Sequence, residues 1–466
     1  MKQIVYIILV TLSFTSPAQK DFEKDKKQGD EYAKVIESKM GIVDATVTTS
    51  YIDKIGQRLV SQLDSKPFPF TFQIVDQGDP NAFSIPGGHV YVSRGLLALV
   101  QTEDELAGVI GHEIMHIMHR HSAKQQRKAI LPGILALPGA ILSSAMGMES
   151  GPRPILGLGK VYLASYGRKQ EDDADQYGIQ LSAKAGYDPA QLAVILQRLE
   201  KEVTFLMGQE SKFSMFDDHP MTPERIKKIN AMSSTLKKSL RDPFIENKTE
   251  LLGQFSGIMV GENPKNGVFQ KNTFVHPELK IAIDFPEGWK KENDESTVGA
   301  SSEKKSIIAL TVAGRDYQRD TAAVNFVNNY YTKSRMKPVS DEKKMMNGVE
   351  VREIIFSSAS SVQSGLYTLF IPHKGYTYLM YGLTIPDEQQ LMRESVKSFR
   401  SLSAEERNRI EKTVLKVVTS NQGESIDAFS NRTQNVLVKD FLKIINDLQK
   451  DELGTMPIKI GVREKF

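Results

Sequence analysis

The 466-residue chain has no cysteine and a single tryptophan, and its charges nearly cancel to +3, with 25% Asp, Glu, Lys and Arg. Without cysteine there is neither a disulfide framework nor a lipobox. A chain of this length can bury an adequate core without such staples. The balanced charge gives no strong pull toward nucleic acid or an anionic membrane, so nucleic acid is not an expected partner. Long apolar runs are scarce as well. The first, Ile4 to Phe14, is too short to span a bilayer. With Lys2 before it and Ser16-Pro17-Ala18 after it, it reads as a secretory signal over residues 1–18, a retained anchor being the alternative.

What the chain does carry is His112-Glu113-Ile114-Met115-His116. At about 100° per residue, a helix puts the two imidazoles about 40° apart, with Glu113 in the same wedge. Two neutral imidazoles are good zinc ligands, and a neighbouring carboxylate can take a proton from water activated by the ion. Thr102-Glu103-Asp104-Glu105 is a capping box that starts a helix just before the motif. Leu106 to Met118 is apolar enough to be buried, where ionisable side chains are costly without a partner or a metal. Further on, Glu171 and Asp175 stand one helical turn apart. Glu171 can be the third ligand that a catalytic zinc needs, and Asp175 can accept the remaining ring N–H of His112. His119 and Ser122 stand where the metzincin pattern needs Gly and His, which excludes that class. His119 is within ligating reach of His116, whereas His121 is rotated off the face. Both read as hydrogen-bonding residues at the helix end.

The stretch from Gly41 to Met232 resembles the bacterial HtpX/BepA-type zinc metallopeptidases, gluzincins related to the CAAX prenyl proteases and the mitochondrial Oma-type enzymes. The resemblance rests on motifs in fixed order: Asn81-Ala82-Phe83, Pro86-Gly87-Gly88, Gly95-Leu96 and Glu103 to Ala107, then His112 to His116 with Arg120-His121. Arg168, Glu171, Ala174-Asp175, Gly178, His219-Pro220 and Arg225-Ile226 follow. It implies one zinc per chain held by His112, His116 and Glu171, with Glu113 as general base and Arg225 beside Asp175 in support. It implies that His219 sits over the metal, as an oxyanion stabiliser or an inhibitory extra ligand. In the related folds the short strand His89-Val90-Tyr91-Val92 is an edge beside the metal, where an extended peptide can add by main-chain hydrogen bonds. His89 itself reads as a surface residue. Gly111 departs from the small apolar residues more usual at that position.

The expected fold class is α+β: a mainly helical zinc-peptidase domain with a small sheet over residues 19–240, a linker that still packs locally over 241–272, an antiparallel α+β domain over 273–402, and a small unit over 403–466. Alternating segments such as Lys280 to Phe285 and Ser306 to Val312 carry the middle assignment. Phe285-Pro286-Glu287-Gly288-Trp289 resembles the opening of PsbP-like domains. At the end, the order strand, Gly423-Glu424-Ser425-Ile426, two helices, Asn446-Asp447-Leu448, strand resembles a LysM module, a peptidoglycan binder; a helical cap on the middle domain is the alternative.

A second uncharged run, Ala129 to Met148, is long enough to cross a membrane. A single crossing would separate Glu171 from His112, and Pro132, Gly133, Pro138 and Gly139 break a regular helix. The run therefore reads as an apolar lid or hairpin by the cleft, able to touch a bilayer surface, or as core. The functional expectation is a zinc endopeptidase exported to the periplasm or outer envelope. Its substrates would be unfolded or misassembled envelope proteins, and its partners peptidoglycan or the envelope assembly machinery. The rival is a chaperone-like assembly factor with an occluded, latent zinc site.

Overall fold

A computed structural model describes residues 17–121, 166–207, 219, 223–293, 297–315, 319–334, 337–356 and 365–466. The secretory segment, apart from Pro17 and Ala18, and the whole Ala129–Met148 run lie outside the described residues. The architecture is α+β. Among the described residues no helix is long and apolar enough to cross a membrane.

The first part runs α1 (Pro17–Met40), α2 (Thr46–Ser61), β1 (Thr71–Val75), β2 (Ala82–Ile85), β3 (His89–Ser93), α3 (Arg94–Leu99) and α4 (Glu103–Met118). It continues with α5 (Arg168–Lys184), α6 (Gln191–Met207) and α7 (Pro223–Ser233). Helix α4 starts where Thr102 Oγ1 accepts the N–H of Glu105 at 3.1 Å, and three acidic residues fill its first turn, where the helix dipole favours them. The Glu105 carboxylate accepts the N–H of Gln101 at 2.7 Å and pairs with buried Arg198 of α6, also at 2.7 Å, so its charge is met inside the core. Almost all of α4 is buried.

The small sheet has the order β1-β3-β2, with β3 parallel to β1 and antiparallel to β2. This corrects the expectation that His89 to Val92 form an edge. The turn at Pro86-Gly87-Gly88, with φ of +88° and +96° at the glycines, folds β3 back between its neighbours, so its main-chain groups are spent on both sides. Val90, Tyr91 and Val92 are buried. One face of the sheet joins the main core through Phe72, Ile74, Ala82, Val90 and Val92. The other face packs Val75, Phe83, Ile85 and Tyr91 against Ala33 and Ile36 of α1.

Residues 241–272 pack against both the first and the last parts of the chain. Arg241 pairs with Glu103 at 2.9 Å and Asp104 at 3.0 Å. Leu251, Leu252, Phe255 and Ile258 enter the main core, and Met259–Val260 pairs with the strand Glu411–Thr419. Apolar side chains among the Gly, Pro and Asn of this stretch outweigh its turn-like composition.

The middle of the chain holds a seven-stranded antiparallel sheet between residues 290 and 383, beside a four-stranded sheet that starts at Val268 and is completed by Arg400–Ser401. Trp289 is buried in the core between them. In the last part, strands Glu411–Thr419 and Pro457–Lys465 pair antiparallel around helices Ile426–Thr433 and Lys439–Ile445. This part touches the four-stranded sheet, where Ile410 packs with Val275 and Ala282, and it also packs on the first part. Leu415 and Ile445 enter the main core of the first part, and the Lys459 Nζ donates to the carbonyls of Ala98 and Val100 at the end of α3.

Candidate metal centre

The centre is assembled where α4 and α5 cross. Gly111 and Gly178 face each other there. A Cβ on Gly178 would lie 2.9 Å from both Cα and N of His112, and one on Gly111 would lie 3.0 Å from Ser182 Oγ. Glycine at both positions lets the two backbones approach closely enough for the side chains of His112, His116 and Glu171 to converge. Gly111, the departure noted in the sequence, thus has a packing reason.

Four buried side chains meet at this crossing: His112, His116, Glu171 and His219, each offering one donor atom within 4.8 Å of the others. His112 Nε2 lies 3.0 Å from His116 Nε2 and 3.3 Å from His219 Nδ1. Glu171 Oε1 lies 3.4 Å from His116 Nε2 and 3.0 Å from His219 Nδ1. Ligands at the usual zinc distance of about 2.0–2.1 Å in a tetrahedron stand about 3.3 Å from one another. These nitrogens and the carboxylate oxygen have the spacing and chemistry of such a set, so the residues fit a metal ion of the zinc class.

The surroundings hold the four in place. His112 Nδ1 is 2.9 Å from Asp175 Oδ1. Arg225 of α7 donates Nε to Asp175 Oδ2 at 2.6 Å and Nη2 to Oδ1 at 2.8 Å, and its Nη1 is 2.7 Å from Glu171 Oε2. One guanidinium therefore orients both the candidate ligand Glu171 and the carboxylate behind His112. Burial would raise Glu171, but the charges of His219 and Arg225 override it and hold the carboxyl well below its ordinary range. Burial works against ionising His219 too, but the Glu171 and Glu113 carboxylates lift it to about 9. Burial pushes His116 well down, toward the neutral form that ligates. Glu113 is also fully buried, and burial raises it, opposed by the charges of His219 and His112 and by Ser84 on β2. His219 Nε2 is 3.4 Å from Glu113 Oε1.

His89 does not join this group. Its Nε2 is 2.9 Å from Asp30 on α1 and its Nδ1 is 3.0 Å from Thr71 Oγ1, so it ties α1 to the sheet. Tyr166 was not singled out from the sequence. Its ring stacks on His116 at 3.7 Å between centroids and sits 5.1 Å from His219. It stands just before α5, with no motif to mark it. Ser84 was missed because a serine in a four-residue strand carries no signal of what lies across from it.

Residues 46–233 match peptidase family M48. The beta-barrel assembly-enhancing protease of Escherichia coli K12 is 28% identical over 244 residues, which are 50% of this chain and 49% of that protein. The mitochondrial metalloendopeptidase OMA1 of Schizosaccharomyces pombe is 30% identical over 45% of this chain and 60% of its own length. Metalloprotease LoiP of Escherichia coli is 30% identical over 34% and 62%. The chain spans about half the length of the beta-barrel assembly-enhancing proteases it matches. A solution structure of cyanobacterial PsbP from Synechocystis covers 28% of this chain and 91% of its own at 10% identity and a TM-score of 0.24, too low to establish a shared fold.

Proposed function

We propose that this chain, whose residues 46–233 are a peptidase family M48 domain, is a zinc-dependent endopeptidase acting on unfolded or misassembled proteins of the bacterial envelope. The observation that carries the reading is the buried set of three imidazoles and one carboxylate with a fifth ionisable group, Glu113, against it. His112, His116 and Glu171 would hold one zinc ion. When bound, zinc polarises a scissile carbonyl and brings the pKa of water down to about 7. Glu113 would accept a proton from the attacking water and pass it to the leaving amine, a role that its burial-raised proton affinity suits. Asp175 and Arg225 keep His112 and Glu171 aimed.

The sheet edge toward α4 is β2, with Ser84 across from Glu113, so an extended substrate would add along β2 rather than along His89 to Val92. Main-chain pairing of this kind selects extended chains over particular side chains, which suits unfolded proteins as substrates. The names of the Escherichia coli relatives motivate the envelope as the place of action, in the periplasm or at the outer envelope. The part from residue 403, with its strand, two helices and strand, is the candidate contact to peptidoglycan or to the assembly machinery.

His219 Nδ1 stands as a fourth donor, which favours a site that is closed at rest. A latent site also suits the rival reading of a chaperone-like assembly factor. The deciding experiment is casein cleavage by the purified full chain, with metal content measured alongside. Cleavage should be lost with a chelator, return with zinc, and fall about 10²–10⁴-fold in Glu113→Gln with zinc retained. A zinc-loaded chain that leaves casein intact even as His219→Ala would favour the assembly factor.

A further inference from the structure

The end of α4 carries two histidines that this chemistry leaves unused. Arg120, between them, adopts the left-handed conformation with φ of +58°. The chain turns there so that both imidazoles face Asp173 in the first turns of α5. His119 Nδ1 hydrogen-bonds Asp173 Oδ2, His121 Nε2 is 3.3 Å from that same oxygen, and the three donor groups lie within 4.8 Å of one another. The cation next to them is already neutralised: Arg120 pairs with Asp25 at 2.6 Å and Asp21 at 2.7 Å, both on α1. Tyr177 closes one side, its ring edge-on to His119 at 4.8 Å. The side chains of His119 and Asp173 are 30% and 34% exposed, so this cluster opens to solvent while the inner one is sealed.

We propose that His119, His121 and Asp173 form a second divalent-cation site, suited to zinc, at the rim of the inner centre and antagonistic to it. Two imidazoles and a carboxylate are a donor set that zinc accepts, and the open side leaves room for water to complete the coordination. The antagonism comes from one contact: His121 Nδ1 is 3.2 Å from His116 Nδ1. A neutral imidazole has one ring proton. If His116 gives Nε2 to the inner ion, as the proposed function requires, its proton is on Nδ1 and is donated to His121 Nδ1. The proton of His121 is then on Nε2, toward Asp173. A cation binding His121 Nε2 drives that proton to Nδ1, where it opposes the proton of His116. Filling the outer site therefore loosens the grip of His116 on the inner ion, and excess zinc acts as a built-in restraint.

The test uses the full chain loaded with one metal ion and titrated with zinc, read by calorimetry and elemental analysis. The wild type should reach about two ions per chain, and His119→Ala and Asp173→Asn about one. Both changes are at partly exposed positions, and circular dichroism confirms that the variants are folded. With cobalt as the inner ion, followed by visible absorption, excess zinc should speed cobalt loss about tenfold in the wild type but not in His119→Ala. A wild type that stops at one ion in excess zinc overturns the site, as does an undiminished second ion in both His119→Ala and Asp173→Asn. Equal cobalt loss with and without zinc overturns the antagonism. His116→Ala separates this proposal from the protease reading: it should remove the inner ion and keep the outer one. Absence of casein cleavage in a chain that binds the outer ion counts against the protease reading alone.

Discussion

Asp175 illustrates how much at the residue scale depends on groups outside the four candidate donors. It is almost fully buried and accepts from Arg225 while facing His112 Nδ1. Burial raises a carboxyl, but Arg225 overcomes this and keeps Asp175 ionised below its ordinary range. Asp175→Ala should leave the fold intact and weaken zinc binding 10–100-fold, roughly the effect of losing a carboxylate behind a ligating histidine; competition with a chromogenic chelator measures it. His219 is the complementary case. Its Nδ1 is among the four donors and its Nε2 faces Glu113, so it bridges the candidate ligands and the candidate base. His219→Ala should raise basal cleavage of an unstructured peptide several-fold, read as kcat/KM. A fall instead would assign the residue to oxyanion stabilisation.

Among the elements, the crossing of α4 and α5 sets the geometry of the whole centre. Gly178→Ala inserts a methyl group 2.9 Å from the backbone of His112, and a backbone cannot swing aside as a long side chain can. The helices must separate by several tenths of an ångström. The variant should lose about 1–3 kcal/mol of stability, as overpacked cores do. It should also lose zinc affinity, which a change at a remote packed position would not; urea denaturation and metal titration on one preparation separate the two effects. The order of the small sheet is set at the same scale. The alternation in His89 to Val92 marks a strand, but whether a strand is central or at an edge depends on which others reach it. The turn at Gly87-Gly88 and the parallel approach of β1 put β3 in the middle.

Over the whole molecule, the parts are joined by buried polar contacts as well as by apolar packing. Lys459, fully buried, reaches from the last strand to the carbonyls that end α3, and burial pushes its pKa well down. Glu202 on α6 lines the cleft where the first part meets Phe269, Lys291 and Phe441 of the later parts. Burial, aided by Asp79, raises its carboxyl from 4.5 to about 8. The folded chain thus keeps a proton there that the unfolded chain releases above about 4.5. Its contribution to stability is present below that pH and is lost as pH rises to about 8. Glu202→Gln should flatten this slope and raise the melting temperature above pH 8, with little change at pH 5. A pH series of thermal unfolding curves checks the sign.

The sequence by itself determined the elements whose signals are local. The cap at Thr102, the helical spacing of His112 and His116, the turn between Glu171 and Asp175 and the alternating strands of the middle region are all set by neighbours along the chain, through backbone geometry and periodicity. At residues 241–272 the composition shows turns and local packing but not the partners, because a few apolar side chains at core positions decide burial and composition does not locate them. Only the tertiary structure decided that β3 is central, that the last unit packs on the first part, that Tyr166 covers His116, and that His119 and His121 both meet Asp173. Each of these depends on contacts between segments far apart in the chain, and the close approach that permits them is set by packing that no single segment specifies.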